Sequence, residues 1–151
     1  MTPLIKSRYD LAVYFNELGF KTGAEVGVLG GDYSKLLCEM NPELKLYCID
    51  SWGIGDRTQK MRDYHVKMYE RAKKKLAPCN VVLIRKLSMD AVKDIGDEAL
   101  DFVYIDASHQ DPYITEDIAE WSKKVRFGGI VSGHDYNNKL PVTEAVNAYI
   151  W

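Results

Sequence analysis

The sequence predicts an α/β fold in which a doubly wound, mostly parallel sheet lies between two layers of helices. Short apolar runs alternate with helix-like segments along all 151 residues, which is the order of elements in a parallel sheet with crossover helices. The runs do not alternate with polar residues, as expected for strands buried on both faces. Right-handed crossovers then favour a doubly wound arrangement, and the length suits a single domain over residues 1–151.

Each predicted strand is a short apolar run bounded by turn-forming or capping residues. Functional residues are expected just after strands one, two, four and five, because ligands of such sheets bind beyond the carboxyl ends of the strands. The predicted strands, in chain order, are Ala24–Val28, Leu46–Asp50, Val81–Ile84, Phe102–Asp106 and Gly128–Gly133.

The helices between the strands are predicted from capping residues and from apolar side chains spaced three or four residues apart. Proline is favoured in the first turn because the N–H that it lacks would have no helical partner. The predicted starts, in chain order, are Ser7, Asp32, Asp56, Ser88, the Asp111–Pro112 pair and Pro141.

The composition excludes several classes of protein. Hydrophobic residues make up 46 % and charged residues 28 %, and the net charge of −2 creates no field toward nucleic acid or anionic membranes. The N-terminus lacks the apolar core of a signal peptide, and no apolar run reaches membrane-spanning length. Cys38, Cys48 and Cys79 have neither a disulfide nor a zinc-site spacing. We therefore expect a cytoplasmic protein with no nucleic-acid or membrane partner.

The most informative stretch is AEVGVLGGDYS, residues 24–34, in which a strand passes through glycines into a helix. Glycine permits positive φ and leaves no Cβ in the way of a ligand, and the helix start offers free N–H groups. The phosphate fingerprints G-x-G-x-x-G and G-x-x-x-x-G-K-[ST] are both absent. The stretch predicts either a ligand-binding turn or a tight turn packed on its own helix.

Acidic residues beside this turn indicate the kind of ligand. Glu25 precedes Gly27, where a carboxylate would repel a pyrophosphate and attract a cation. Asp50 ends the second strand, where a carboxylate can bind both hydroxyls of a ribose. Together the two acids predict a nucleoside with a positively charged tail.

Three longer motifs resemble the class I S-adenosylmethionine-dependent methyltransferases, in particular the branch of small sugar and macrolide O-methyltransferases. They are EVGVLGGDYS, IDSWGIGD and the block from FVYIDASH to WSKKVRFGGIVSGHDY, and the resemblance covers residues 24–136. It implies a Rossmann-like sheet and methyl transfer from S-adenosylmethionine to a hydroxyl group of a small-molecule or sugar acceptor.

The resemblance also implies which residues hold this cofactor. The backbone at Gly27 and Gly31 would line the methionine tail, Glu25 would either fix the turn or face the amino group, and Asp50 would bind the ribose. An ordinary helix N-cap is the alternative for Ser88, and a core or lid aromatic is the alternative for Trp52. The full predicted set is Glu25, Gly27, Gly31, Ser34, Asp50, Ser51, Trp52, Ser88, Met89 and Asp106.

Acids and histidines follow the fourth and fifth strands, which are neighbours in the family. Asp106 ends strand four, and His134 and Asp135 follow strand five. Neighbouring strands lie roughly 5 Å apart, and two carboxylates so close need a proton or a cation between them. Asp106, His134 and Asp135 are therefore predicted ligands of Mg²⁺, which would lower the pKa of the acceptor hydroxyl.

A metal-free site is the alternative. Metal-dependent relatives often carry adjacent acids or Asp-Asn where this chain has His134-Asp135, and an acid where it has Ser108. Without a metal, His109 or His134 would act as the general base, since imidazole titrates near neutral pH. Asp106 and His109 are the predicted catalytic residues.

Residues 56–77 form a highly charged stretch in which lysines and arginines are mixed with aromatic and acidic residues. A nucleic-acid patch is one interpretation, and a solvated amphipathic helix is the favoured one. As a lid after the second strand, this helix would bring Tyr64, His65 and Tyr69 toward the acceptor.

Three functions remain open from the sequence: an O-methyltransferase, a module that binds S-adenosylmethionine or S-adenosylhomocysteine without turnover, and an NAD-dependent oxidoreductase. The absent G-x-G-x-x-G disfavours the third. The family's sheet continues after the fifth strand, whereas this chain ends near the following helix. We expect either a truncated chain or a minimal five-stranded variant, whose exposed sheet edge would favour a homodimer.

Overall fold

A five-stranded, wholly parallel sheet runs through the protein in a computed structural model that describes residues 4–137 and 139–150. The strand order is β3-β2-β1-β4-β5, so the order reverses at β1 as in a doubly wound sheet. The predicted α/β class and Rossmann-like sheet are confirmed. The strands are β1 Thr22–Val26, β2 Lys45–Asp50, β3 Val81–Arg85, β4 Leu100–Ile105 and β5 Val125–Gly133.

Helices connect the strands and cover both faces of the sheet. Side chains within one strand alternate between these faces: Phe102 and Tyr104 pack with α1, α2 and α3, whereas Val103 and Ile105 pack with α4, α5 and α6. The helices are α1 Arg8–Glu17, α2 Asp32–Met40, α3 Gln59–Leu76, α4 Ser88–Ala91 with a 3-10 turn Val92–Asp94, α5 Tyr113–Ser122 and α6 Leu140–Ile150.

Three strands, β1, β4 and β5, differ from their predicted bounds by two or more residues, and β4 begins at Leu100 and ends at Ile105 in place of the predicted 102–106. The chain takes positive φ at Gly27, and β1 therefore ends at Val26. Val28 lies beyond the strand and packs in the core between the sheet and helices α1, α2 and α3. Val125 follows Trp121 at a helical spacing of four residues, but it begins β5, and a register shift between Leu100 and Phe102 accommodates the longer strand.

Helix caps follow the prediction at α1 but not at α2, α3 or α4. Helix α3 begins at Gln59 and not at the predicted Asp56, because the Thr58 side chain accepts from the Met61 N–H and caps it. The Ser7 side chain accepts a hydrogen bond from the Asp10 N–H, as an N-cap does. Helix α2 begins after Gly31, with Asp32 as its first residue, and α4 is preceded by Leu87. Ser88 therefore does not cap its helix, because its hydroxyl is used elsewhere.

Among the described residues, no helix combines the length and the apolar character needed to cross a membrane.

Candidate functional site

A cavity of about 590 Å³ opens at the carboxyl ends of β1, β2, β3 and β4. This is where a doubly wound sheet binds its ligand. Several residues predicted to bind a cofactor line it, namely Gly27, Asp50, Ser51, Ser88, Met89 and Asp106. Others that line it were not predicted, and include Leu29, Lys86, Leu87, Tyr113, Glu116 and Asp117.

Gly27 is required by the close approach of two strand ends. Its φ is +96°, and a Cβ at this position would lie 2.0 Å from the backbone oxygen of Asp106. The Gly27 N–H donates to Ile49 O at 2.8 Å, and the Asp106 N–H donates to Val26 O at 2.8 Å. The turn is thus locked between β2 and β4, with Gly27 on the wall of the cavity.

The other two glycines of the junction differ from Gly27. Gly31 has a φ of +83°, and a Cβ there would face Leu76 and Ala72 of α3 and not the cavity. Gly30 has no positive φ, and its nearest neighbour would be the flexible Arg71 side chain at 3.3 Å. Gly31 therefore serves the turn into α2, away from the cavity wall.

Glu25 and Ser34 lie behind the turn, apart from the cavity lining. Both are buried, and the Ser34 hydroxyl donates a hydrogen bond to the Glu25 carboxyl group. Burial raises the pKa of Glu25 to about 8, although the hydrogen bond from Ser34 acts in the opposite direction. In this structure the pair holds β1 against α2 and makes no contact with the cavity.

Asp50 is held in a fixed orientation at the end of β2. Its Oδ2 accepts from the Leu29 N–H and its Oδ1 from the Trp52 N–H, both at 2.8 Å. A carboxylate has about four acceptor positions, so both oxygens can still accept a hydroxyl group from the cavity.

Trp52 is a core aromatic, the alternative that the sequence left open. It is fully buried, its Nε1 donates to Leu29 O at 2.8 Å, and its ring packs against Tyr69 at 4.6 Å. Its indole braces the loops around Asp50 and is absent from the cavity lining.

Ser88 is the centre of a network that the sequence analysis missed. Its hydroxyl donates to Oδ1 of Asp117 and accepts from Nε1 of Trp121 at 2.8 Å. Asp117 is only 3 % exposed. It could have been found as an acid within the apolar stripe of α5 that Ile114 and Trp121 define.

A second cluster lies on the rim, where β4 and β5 end. Oδ2 of Asp135 is 3.2 Å from Nδ1 of His134 and 3.1 Å from Nε2 of His109. Nδ1 of His134 is also 3.9 Å from Oδ1 of Asp106. The structure therefore brings together the four residues that the sequence predicts for catalysis and metal binding.

This cluster has the electrostatics of a cation site. Ligand atoms of Asp106, His134 and Asp135 all lie within 4.8 Å of one another. Burial raises the pKa of Asp106, Asp135 adds to this increase, and His134 and His109 oppose it. A positive charge among these groups would offset the repulsion between the two carboxylates.

The aromatic residues of α3 lie away from the cavity lining. Nδ1 of His65 is 2.6 Å from Oδ2 of Asp56, Tyr69 packs on Trp52, and Tyr64 is exposed. Helix α3 packs behind the glycine junction in this structure. None of these three residues lines the cavity, where the sequence analysis expected them to approach an acceptor.

The same fold occurs in solved methyltransferase structures of low sequence identity. TomG of Streptomyces achromogenes, an O-methyltransferase in complex with SAM, has 19 % identity and a TM-score of 0.71, with 99 % of this chain and 70 % of that chain covered. The Bacillus cereus O-methyltransferase in complex with SAH has 18 % identity and a TM-score of 0.64, with coverages of 98 % and 69 %. SAH-bound PaMTH1 of Podospora anserina has 14 % identity and a TM-score of 0.67, with coverages of 97 % and 70 %.

Family membership rests on the sequence match. No curated protein matches the chain significantly. A family model described as a methyltransferase domain matches residues 24–136, from the start of the glycine junction to the end of the rim cluster. The match has the same bounds as the resemblance found in the motifs, and the chain belongs to this methyltransferase-domain family.

Proposed function

We propose that the protein transfers the methyl group of S-adenosylmethionine to a hydroxyl group of a small molecule or sugar. The observation that carries this proposal is that one cavity joins the Gly27 turn, the Asp50 carboxylate and Asp106. A nucleoside with a cationic tail needs these three features: an open turn, a ribose acceptor and negative charge near the sulfonium. The SAM and SAH complexes of similar fold support the same choice of cofactor.

The chain binds the cofactor chiefly through pre-ordered groups. The hydrogen bonds from Leu29 and Trp52 hold the Asp50 carboxylate in place, so little ordering is left for the binding step. The missing Cβ of Gly27 leaves the backbone open at the turn. Leu87 and Met89 supply apolar surface for the base on the β3 side of the cavity. The cofactor supplies an activated methyl group, and the protein aligns it with the acceptor and excludes water.

The rim cluster provides the group that removes the proton from the hydroxyl group of the methyl acceptor. We assign His109 as the general base, since Asp135 is within hydrogen-bonding distance of its Nε2 and can fix the orientation of the ring. Its side chain is 35 % exposed, so an acceptor can reach it from solvent. Asp106 lies on the cavity wall beside this group.

A divalent cation fits the same rim. Asp106, Asp135 and His134 offer two carboxylates and one imidazole within 4.8 Å, a mixed oxygen and nitrogen set that accepts Mn²⁺ as well as Mg²⁺. When bound, such an ion would lower the pKa of the acceptor hydroxyl. His109 remains outside this ligand set and keeps its role as base.

Two further expectations belong with this proposal. A cytoplasmic location fits the three free thiols, since reducing compartments keep cysteines unpaired. A homodimer fits the sheet, because in the described part of the chain β5 pairs only with β4 and leaves an edge with the exposed Phe127.

Calorimetry and a transfer assay test the proposal together. We expect S-adenosylhomocysteine and S-adenosylmethionine to bind and NAD not to bind. Transfer of a labelled methyl group is then measured for sugars, catechols and phenolic or carboxylic acceptors, with and without Mg²⁺. Asp106→Ala should retain S-adenosylhomocysteine but lose transfer. Cofactor binding without transfer to any acceptor would instead indicate the binding module, and preferential NAD binding would indicate the oxidoreductase.

A further inference from the structure

Asp117 is an acid in an unusual position on the wall of the cavity. It lies on α5, is 3 % exposed and contacts the cavity beside Ser88. Its Oδ1 accepts from the Ser88 hydroxyl, and in the described part of the chain no group donates to its Oδ2. In the described part of the chain Oδ1 of Asn41 is the only fully buried side-chain oxygen without a partner, so Oδ2 of Asp117 is open to the cavity. A ligand that donates to this oxygen would gain a charge-assisted hydrogen bond and therefore affinity.

The surrounding groups leave this acceptor available to a ligand. Ser88 is committed, because it donates to Asp117 and accepts from Trp121. Lys86 also lines the cavity, but its ammonium group is 2.6 Å from Asp94. Burial raises the pKa of Asp117 to about 6, with the Ser88 hydrogen bond opposing this. The carboxyl group is therefore mostly ionised, and can only accept hydrogen bonds, at neutral pH.

The position of Asp117 along the cavity identifies the part of the ligand that it meets. A ribose bound by Asp50 at the end of β2 has the Gly27 turn and Asp106 on its β1–β4 side. On its other side lie Ser88 and Met89, which follow β3, together with Asp117 of α5. If the cationic tail extends toward Asp106, the base extends toward Asp117.

We propose that Asp117 selects the 6-amino base of the cofactor by accepting a hydrogen bond from its exocyclic amino group. This inference rests on the proposed function and deepens it. A 6-oxo base would place a second acceptor against Oδ2, whereas a 6-amino base donates to it. Sites that are built to pair with a donor reject the analogue that lacks it, because a buried group is left unpaired.

Binding calorimetry with two ligands tests this assignment. We expect the wild-type protein to bind S-adenosylhomocysteine at least tenfold more tightly than S-inosylhomocysteine, its 6-oxo analogue. In Asp117→Asn, the amide oxygen can keep the Ser88 hydrogen bond and the amide NH₂ can face the cavity. The preference should then disappear or reverse. If Asp117 had a purely structural role, the variant would bind both ligands more weakly by the same factor. The ratio of the two affinities would then stay unchanged, and this would overturn the assignment.

The matched control is Glu120→Gln, which removes the same charge from a residue on the same helix that pairs with Lys123 and does not line the cavity. This variant should keep the wild-type ratio of the two affinities, and loss of that ratio here would assign the effect to the charge of α5 and overturn the role of Asp117. If Asp117→Asn does not fold, an analogue with hydrogen at position 6 decides the question with wild-type protein. The 6-oxo ligand should bind more weakly than the 6-hydrogen ligand, and equal affinities would overturn the inference. Absence of S-adenosylhomocysteine binding to wild type would instead overturn the proposed function itself.

Discussion

The buried carboxyl group of Glu25 accepts a hydrogen bond from the hydroxyl group of Ser34 directly behind the glycine turn. Neither side chain contacts the cavity, and burial raises the pKa of Glu25 to about 8. The acid that precedes the glycines is therefore mostly neutral at pH 7. Its contribution to the site is the position of β1 against α2, and the acidic groups that line the cavity are those of Asp50, Asp106, Glu116 and Asp117.

Glu25→Gln tests this by the dependence of stability on pH. In the unfolded chain Glu25 ionises near its ordinary pKa of 4.5, whereas the folded protein holds the proton until about pH 8. The contribution of Glu25 to the free energy of unfolding is therefore fully present below pH 4.5 and is lost as the pH rises toward 8. Glutamine cannot ionise, so the variant should not lose this contribution. As the pH rises from 5 to 8, its free energy of unfolding should therefore increase by about 1–3 kcal/mol relative to that of the wild type.

The measurement is urea unfolding at both pH values. Glu43→Gln is the control, because Glu43 is exposed and its substitution should leave the pH dependence unchanged. Parallel curves for wild type and Glu25→Gln would contradict the assignment of a neutral Glu25.

Gly27→Ala should both destabilise the fold and impair cofactor binding. The new Cβ would lie 2.0 Å from the backbone oxygen of Asp106, and positive φ is strained for alanine. We expect a loss of roughly 2–4 kcal/mol and at least a tenfold weaker affinity for S-adenosylhomocysteine. Gly30→Ala is the matched control, since only the flexible Arg71 side chain must adjust there. Equal effects at both positions, seen by denaturation and calorimetry, would refute the steric explanation.

Much of the fold follows from the sequence because local and tertiary preferences agree. Continuous apolar runs such as the one around Cys48 can only be buried between two helical layers, and this determined the sheet type. Strand ends were harder to place. Val28 looks like strand in its local pattern, but the steric requirement at Gly27 comes from Asp106, about 80 residues along the chain. Val125 likewise has a helical spacing that pairing with Leu100 overrides.

The site residues that follow a strand could be predicted from the sequence, whereas the site residue on the face of a helix could not. Asp50 and Asp106 follow strands, so sheet topology alone brings them to one cavity. Asp117 comes from α5, and its contact with Ser88 depends on how α4 and α5 pack. Trp52 shows the opposite error, because an aromatic residue beside a ligand-binding acid can serve the core instead.

Metal binding at the rim can be measured without an acceptor. We expect wild-type protein to bind Mn²⁺, detected by electron paramagnetic resonance, and to release it to EDTA. His134→Ala removes one ligand of the cluster and should weaken this binding at least tenfold. Asp97→Asn should have no effect, because Asp97 is an exposed acid that precedes β4 and so lies at the opposite end of this strand from Asp106. A wild-type protein that binds no Mn²⁺ and transfers methyl groups in EDTA would leave His109 to act without a metal.

His109→Ala should separate chemistry from cofactor binding. Nε2 of His109 lies 3.1 Å from Oδ2 of Asp135, and the residue is absent from the cavity lining. Loss of a general base typically costs 10²–10⁴-fold in rate, so kcat should fall by about a hundredfold or more. The affinity for S-adenosylhomocysteine should stay within about twofold, and added imidazole should restore part of the rate if it can take the proton instead.

The matched control for this variant is His65→Ala, whose imidazole pairs with Asp56 and lies outside the cavity lining. It should retain most of the wild-type kcat and show no response to imidazole. Asp135→Asn provides an intermediate case, because the ring of His109 would remain but lose its charged partner. Equal rates for wild type and His109→Ala would assign the proton transfer to Asp106 or to a metal-bound group, and the role of His109 as base would be wrong.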